Sequence, residues 1–248
     1  MSKSVGFTKI FAELEYFSKN TDILRRMRHI WGILRRVFLR VVLTLRKECN
    51  IMKASKRTGG KMKRIEDLKI YIVDYDLFTC KELERQFNGI DNVEIVHAKI
   101  ESFYLKHKNE VDCLVSPANA FGYMTGGYDA ALSDILGWDF QYKVRDYIKR
   151  NFYGEQGVGT SFIIDTDFPN LRLIHTPTMQ YPSIIHDDMI VYYCMRSTLI
   201  CALKNDVNCI VIPVFGGACG QVDPEISSKR MKDAYLQILH RVGAKYEF

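Results

Sequence analysis

Apolar positions recur along the chain with two distinct periods. Ile70, Ile72 and Val73 lie within a β-branched run over Lys69–Asp74 that predicts a strand. Leu77 to Asn88 has helical spacing and stops at Gly89, and Val93 to Ala98 predicts the next strand. Val111, Cys113, Leu114 and Val115 form a short apolar run that reads as a buried strand. The run halts at Ser116-Pro117, because proline removes a ladder donor. Glycines follow at 122, 126 and 127, then Ala130, Ala131, Leu132, Ile135 and Leu136 resume helical spacing up to Gly137. A second helix is expected over Asp139–Phe152, strands over Gly157–Asp165 and Leu171–Thr176, and a long apolar helix over Asp187–Lys204. Cys209–Val214 predicts a buried strand. It runs into Phe215-Gly216-Gly217-Ala218-Cys219-Gly220 and then a helix from Pro224 to about Val242, with Asp223 as N-cap.

Strand, glycine loop, helix therefore occurs twice. Strands alternating with helices define an α/β domain with a mostly parallel sheet. Ligands of such sheets sit at the carboxyl ends of the strands, and free N–H groups at a helix start suit phosphate.

The amino-terminal quarter has a different pattern. Ile30, Trp31, Leu34, Val37, Phe38, Val41, Val42 and Leu45 follow one helix face over 21–48, while Arg25, Arg28, Arg35, Arg36, Arg40 and Lys47 mostly fall opposite. Arginines interrupt the run too often for a membrane span. This basic amphipathic helix suits an anionic membrane surface, a partner protein, or the surface of the chain's own domain. Residues 49–64 read as a flexible basic linker, and Met52 and Met62 are alternative starts.

Charge sharpens that division. The chain has 248 residues and a formal net charge of +6. Residues 1–64 hold 17 Lys/Arg against 4 Asp/Glu, whereas residues 65–248 hold 18 against 25. The basic character belongs to the arm, and bulk charge gives no reason to expect duplex nucleic acid on the remainder. Seven cysteines without a C-x-x-C pair read as reduced small hydrophobes of an intracellular, cytoplasmic protein. No secretory signal precedes them. The six histidines form no zinc-ligand spacing, and neither a metal nor a cofactor is expected.

Pro117-Ala118-Asn119 and Gly126-Gly127-Tyr128-Asp129 together resemble the macrodomain family. In that family a strand ends in Asn-Ala-Ala-Asn, passes through glycines, and places Val-Asp at the head of a helix. The 215–220 loop resembles the family's second phosphate loop. Val158-Gly159-Thr160-Ser161-Phe162 with His175-Thr176-Pro177-Thr178-Met179 resembles one of its subgroups. The resemblance covers about residues 66–248. It implies a three-layer α/β/α macrodomain over 65–248, with a mixed, mostly parallel sheet, beside the basic arm of 1–64. It further implies a site for ADP-ribose, or an ADP-ribosylated substrate. Asn119 and Asp129 would lie at the distal ribose and Ile100, Ser116, Gly126, Gly127 and Tyr128 along the ligand. Phe215, Gly216, Gly217, Ala218, Cys219 and Gly220 would surround the diphosphate.

Three activities occur on this fold: binding alone, hydrolysis of ADP-ribosyl groups, and dephosphorylation of ADP-ribose 1″-phosphate. For hydrolysis the resemblance nominates Asp129, assisted by Asn119, as the group that orients water. Asp129 reads equally as a helix cap that bonds ribose. Two positions depart from the family. Lys99 stands where an aspartate accepts from adenine, which a lysine cannot do, and Glu101 is the nearest substitute. Ser133 stands where hydrolases carry a histidine. The Gln-Glu-Glu signature of poly-ADP-ribose glycohydrolases is missing. Cys219 has no arginine six residues on, so a phosphatase-like nucleophile is disfavoured. His175 is expected to be a paired core histidine.

Overall fold

The computed structural model describes residues 63–242. The expected amphipathic helix of 21–48, most of the basic linker and both alternative starts lie outside the described residues.

Six strands form one sheet: β1 (Lys69–Asp74), β2 (Val93–His97), β3 (Cys113–Ser116), β4 (Phe162–Asp165), β5 (Arg172–His175) and β6 (Cys209–Ile212). Their spatial order is β2-β1-β6-β3-β5-β4. All neighbours are parallel except β4 and β5, which pair antiparallel at the edge. The helices are α1 (Leu77–Phe87), α2 (Ile100–His107), α3 (Gly127–Leu136), α4 (Phe140–Phe152), α5 (Met189–Lys204) and α6 (Pro224–Val242).

The strands read as near-continuous apolar runs because both faces are covered. Successive side chains point to opposite faces, so each strand feeds two cores. Ile70 and Ile72 of β1, with Ile210 and Ile212 of β6, pack on Leu83 of α1, Met195 and Leu199 of α5, and Met231 and Tyr235 of α6. Tyr71 and Val73, with Leu114 and Val211, pack on Phe103 of α2, Leu132 of α3, and Val144 and Ile148 of α4. The product is three layers, with α1, α5 and α6 on one side of the sheet and α2, α3 and α4 on the other.

Local chemistry sets the boundaries. The Asp76 side chain caps α1 by accepting from Thr79 N–H at 2.7 Å. Asp223 accepts from the N–H groups of Glu225 (2.9 Å) and Ile226 (3.4 Å) at the head of α6, as expected. Two expectations need correction. The strand expected over Gly157–Asp165 begins only at Phe162. Residues 157–160 instead form a turn closed by Thr160 N–H on Gly157 O, with Gly159 at φ +77. Helix α2 was not anticipated, although Ile100 and Phe103 repeat at helical spacing and both face the core.

Candidate functional site

Strand β6 lies between β1 and β3. The chain leaves β6 towards α6 on one face, whereas β3 continues into α3 on the other. Neighbouring strands that send their connections to opposite faces open a crevice at their carboxyl ends. Residues 116–129 and 213–223 form its two walls.

The first wall is anchored before it reaches the crevice. Ser116 is fully buried, and its hydroxyl donates to the Asp129 carboxylate at 2.5 Å. Burial pushes the Asp129 carboxyl up to about 7, and the Ser116 hydrogen bond partly offsets that rise. The Asn119 side chain turns back on its own loop. Its oxygen accepts from the N–H groups of Phe121 (3.1 Å) and Tyr123 (3.3 Å), and its amide donates to Tyr123 O at 3.0 Å. Ser133, from α3, donates to Met124 O at 2.8 Å. Gly122 sits at φ +73, and a Cβ there would meet Ile148 Cδ1 at 2.8 Å. Only glycine lets this loop lie so closely on α4.

Gly126 and Gly127 are exposed, and a Cβ on either would touch nothing within 4 Å. Gly126 is the N-cap of α3 and offers no side-chain acceptor. Among the described residues, the N–H groups of Gly127, Tyr128 and Asp129 find no acceptor within the chain; the first return bond is Ala130 N–H to Gly126 O. Open space above three free donors at a helix start is an arrangement that accommodates an anion.

The second wall is tighter. Gly216 has φ +81 and lies where a Cβ would collide with Val191 and Val222, both at 2.8 Å. Gly220 packs under Ile185, whose N–H donates to Gly220 O. The Gly220 N–H bonds Gly217 O at 2.9 Å, so it is spent inside the loop. Gly217, Ala218 and Cys219 keep unpaired N–H groups among the described residues, and Ala218 and Cys219 are exposed. Ala218 adopts φ +44, a left-handed conformation that aims successive N–H groups outward.

The sequence-nominated residues thus divide into two sets. Gly126, Gly127, Ala218 and Cys219 are exposed, and Gly217 is partly so. Ser116, Asp129, Phe215, Gly216 and Gly220 are buried and hold the walls. Ile100 is also buried, packing in the core at the head of α2. Lys99 is exposed beside it. Tyr128 packs over the same core, and its hydroxyl is buried without a hydrogen-bond partner. Burial, with Asp129, Asp74 and Glu101 nearby, raises its pKa well above the ordinary phenol value.

His175 is a core residue. It stacks on Phe162 and pairs Nδ1 with Gln156 Oε1 at 2.6 Å, while Nε2 is unpartnered. Burial lowers its pKa to about 3, so it is neutral. Cys219 is exposed, unlike Cys80, Cys113, Cys194 and Cys209.

Sequence reasoning missed the supports of the crevice. Thr178 Oγ1 donates to Pro117 O at 3.1 Å, and Phe121 packs on Tyr181 with ring centroids 4.8 Å apart. Arg145 of α4 lies 4.2 Å over the Tyr123 ring. Such contacts join segments distant in sequence and leave no local pattern. A separate open depression of about 580 Å³ lies at the amino ends of the strands, lined by residues including Asp112, Asp165 and Arg172. It lies at the opposite end of the strands from residues 116–129 and 213–223. Two of its residues are already committed: Asp112 accepts from Asn208 and Cys209 N–H, and Arg172 donates to Asn205 O.

A mixed α/β sheet in which adjacent strands β3 and β6 lead into glycine loops on opposite faces has the topology of a doubly covered α/β domain with a switch point between those strands. The Macro domain family model matches residues 115–231, which hold both loops. No curated protein matches the chain. Among solved structures, the macrodomain of Mycobacterium tuberculosis DarG is similar at 19% identity, with a TM-score of 0.45, over 52% of this chain and 83% of that one. The Oceanobacillus iheyensis macrodomain with MES bound is similar at 17% identity and TM-score 0.47, over 53% and 71%. A mutant of that macrodomain with ADPR gives 16%, 0.47, 52% and 72%.

Proposed function

We propose that the crevice binds ADP-ribose, or a closely related NAD-derived nucleotide, by its diphosphate. The observation that carries this reading is the pair of loops after the adjacent strands β3 and β6 with N–H groups unpaired among the described residues at Gly127, Tyr128 and Asp129 and at Gly217, Ala218 and Cys219. Two clusters of neutral donors, one at a helix start, can bind two phosphates without burying a counter-charge. The Macro domain match over this segment supports the same ligand class.

Asp129 is the residue on which hydrolysis of an ADP-ribosyl group would rest. Its carboxyl titrates at about 7, which suits a group that must take a proton from water near neutral pH. The Ser116 bond fixes one oxygen and leaves the other as the base. A second reading, binding without turnover, is favoured by one observation. The Asn119 amide is occupied by its own loop, and Asp129 is only 8% exposed. On that reading both residues hold the wall rather than touch reacting atoms.

The test is to incubate the full chain with a mono-ADP-ribosylated protein and with an ADP-ribosylated oligonucleotide, following release of ADP-ribose. Release that is lost in Asp129→Asn, with ADP-ribose affinity retained, supports hydrolysis. Binding without release from either substrate supports the sensor reading. A chain that neither binds nor releases ADP-ribose contradicts both.

A further inference from the structure

Helix α3 uses its first-turn acid differently from its neighbours. Helices α1 and α6 begin at Asp76 and Asp223, whose carboxylates cap the free N–H groups of their own helices. Helix α3 begins at Gly126, and the N–H groups of Gly127, Tyr128 and Asp129 stay free among the described residues. Its one first-turn acid, Asp129, makes no bond to them. The carboxylate instead accepts from Ser116 Oγ in β3, where Ser116 is fully buried and Asp129 nearly so. A buried carboxylate and three open donors therefore share the same turn.

No cation offsets the charge that Asp129 acquires on losing its proton. From β3 it meets the neutral Ser116 hydroxyl. His175 of β5 pairs with Ser116 in the sheet register, and burial keeps it neutral. Within α3 the Tyr128 phenol is held neutral, and the groups beside that phenol, Asp74 of β1 and Glu101 of α2, are acids. Lys99, at the head of α2, is exposed to solvent. Arg145 of α4 is engaged with Tyr123, through its ring and its hydroxyl. On the second wall the titratable side chains are Cys219 and His186, both exposed and neither bonded to Asp129. Burial drives the Asp129 carboxyl up to about 7, and Ser116 restrains the rise.

We propose that binding of the ADP-ribose diphosphate at the head of α3 is coupled to uptake of a proton by Asp129, so that the site holds its ligand more tightly in mildly acidic than in mildly alkaline solution. The inference rests on the ADP-ribose reading and adds to it a means of regulation. An anion bonded to the Asp129 N–H lies on the order of 8 Å from that residue's own carboxylate. Charged Asp129 and the diphosphate would be like charges drawing on one helix start. At that separation, with salt screening and the two charges of the diphosphate, the repulsion weakens binding about tenfold. The sign follows by linkage: the ligand favours the protonated carboxyl, so it raises the affinity of Asp129 for its proton by the same factor. Affinity is therefore full below about pH 7, falls over roughly the next unit, and levels off above it. Turnover with Asp129 as base would rise over the same range, opposite to affinity.

The test is isothermal titration of the full chain with ADP-ribose, whose diphosphate diester keeps its charge across the neutral range. Near pH 7.5 the titration is run in Tris and in HEPES, buffers of different ionisation enthalpy, and the difference in heat gives the protons taken up. The coupling predicts uptake of about half a proton there, and affinity about tenfold weaker near pH 9 than near pH 6. In Asp129→Asn uptake falls close to zero and affinity is level across that range. Ser116→Ala removes the bond that restrains the carboxyl, so the fall in affinity moves to higher pH; this variant carries the test if Asp129→Asn does not fold. The proposal is overturned if the parent binds ADP-ribose without proton uptake. It is overturned equally if Asp129→Asn takes up as many protons as the parent, which assigns them to another group such as Cys219 or His186. The ADP-ribose reading survives both results. Absence of binding at every pH removes that reading and this coupling with it.

Discussion

At the scale of single residues, Asp129 carries the strongest physical signature. Its carboxyl is raised from 3.8 to about 7 by burial. A group whose folded pKa lies above its unfolded value stabilises the fold most below the unfolded value. That contribution is lost as pH rises through the folded one. The Asp129 contribution is therefore full below about pH 4, declines between 4 and 7, and is gone above. Thermal melts of parent and Asp129→Asn should diverge over this window, with the Asn variant relatively more stable at pH 8 than at pH 5. Parallel melting curves at both pH values would mean that Asp129 is not a buried titrating group. Gly126 gives a complementary prediction. A Cβ there meets nothing within 4 Å and its φ is −140, so Gly126→Val should cost only about 1 kcal/mol, the loss of a favourable N-cap residue. It should still weaken ADP-ribose binding about tenfold or more by filling the space above the α3 donors, measured by calorimetry.

At the scale of elements, the first wall depends on a close contact between loop and helix. Gly122→Ala must place a methyl within 2.8 Å of Ile148 at φ +73. It should cost about 1–3 kcal/mol in chemical denaturation and weaken ligand binding as well, since the wall shifts with it. Leu114→Ala, in the fully buried centre of β3, should cost about 2–5 kcal/mol. Much of this level was legible in the sequence. The six strands announced themselves as apolar runs, Asp223 marked a helix start through its side-chain carboxylate, and Gly137 marked a helix end through its backbone freedom. Helix α2 was missed because it has only eight residues and its strongest apolar pair, Ile100 and Phe103, is too brief to establish a period. Residues 157–161 carry strand-favouring Val158 and Thr160, but Gly159 at φ +77, with its N–H on Pro177 O, turns the chain there.

At the scale of the whole molecule, sheet order makes the site. Insertion of β6 between β1 and β3 brings residues 116–129 and 215–220 to one crevice although about ninety residues separate them. The glycine spacing pointed to both loops. What the residues do inside them was less legible, because hydrogen bonds across the fold decide it. Asn119 is turned inward by Phe121 and Tyr123, Gly220 is spent on Gly217, and Ser116 serves Asp129 rather than the open crevice.

The measurement that tests the central claim most directly is isothermal titration of the full chain with ADP-ribose, with AMP and NAD as comparisons and Gly126→Val as the altered site. The account predicts saturable one-to-one binding of ADP-ribose on the order of micromolar Kd, at least tenfold tighter than AMP, which lacks the second phosphate, and weakened at least tenfold in Gly126→Val. Absence of binding at millimolar ADP-ribose, or equal affinity in parent and Gly126→Val, would contradict it.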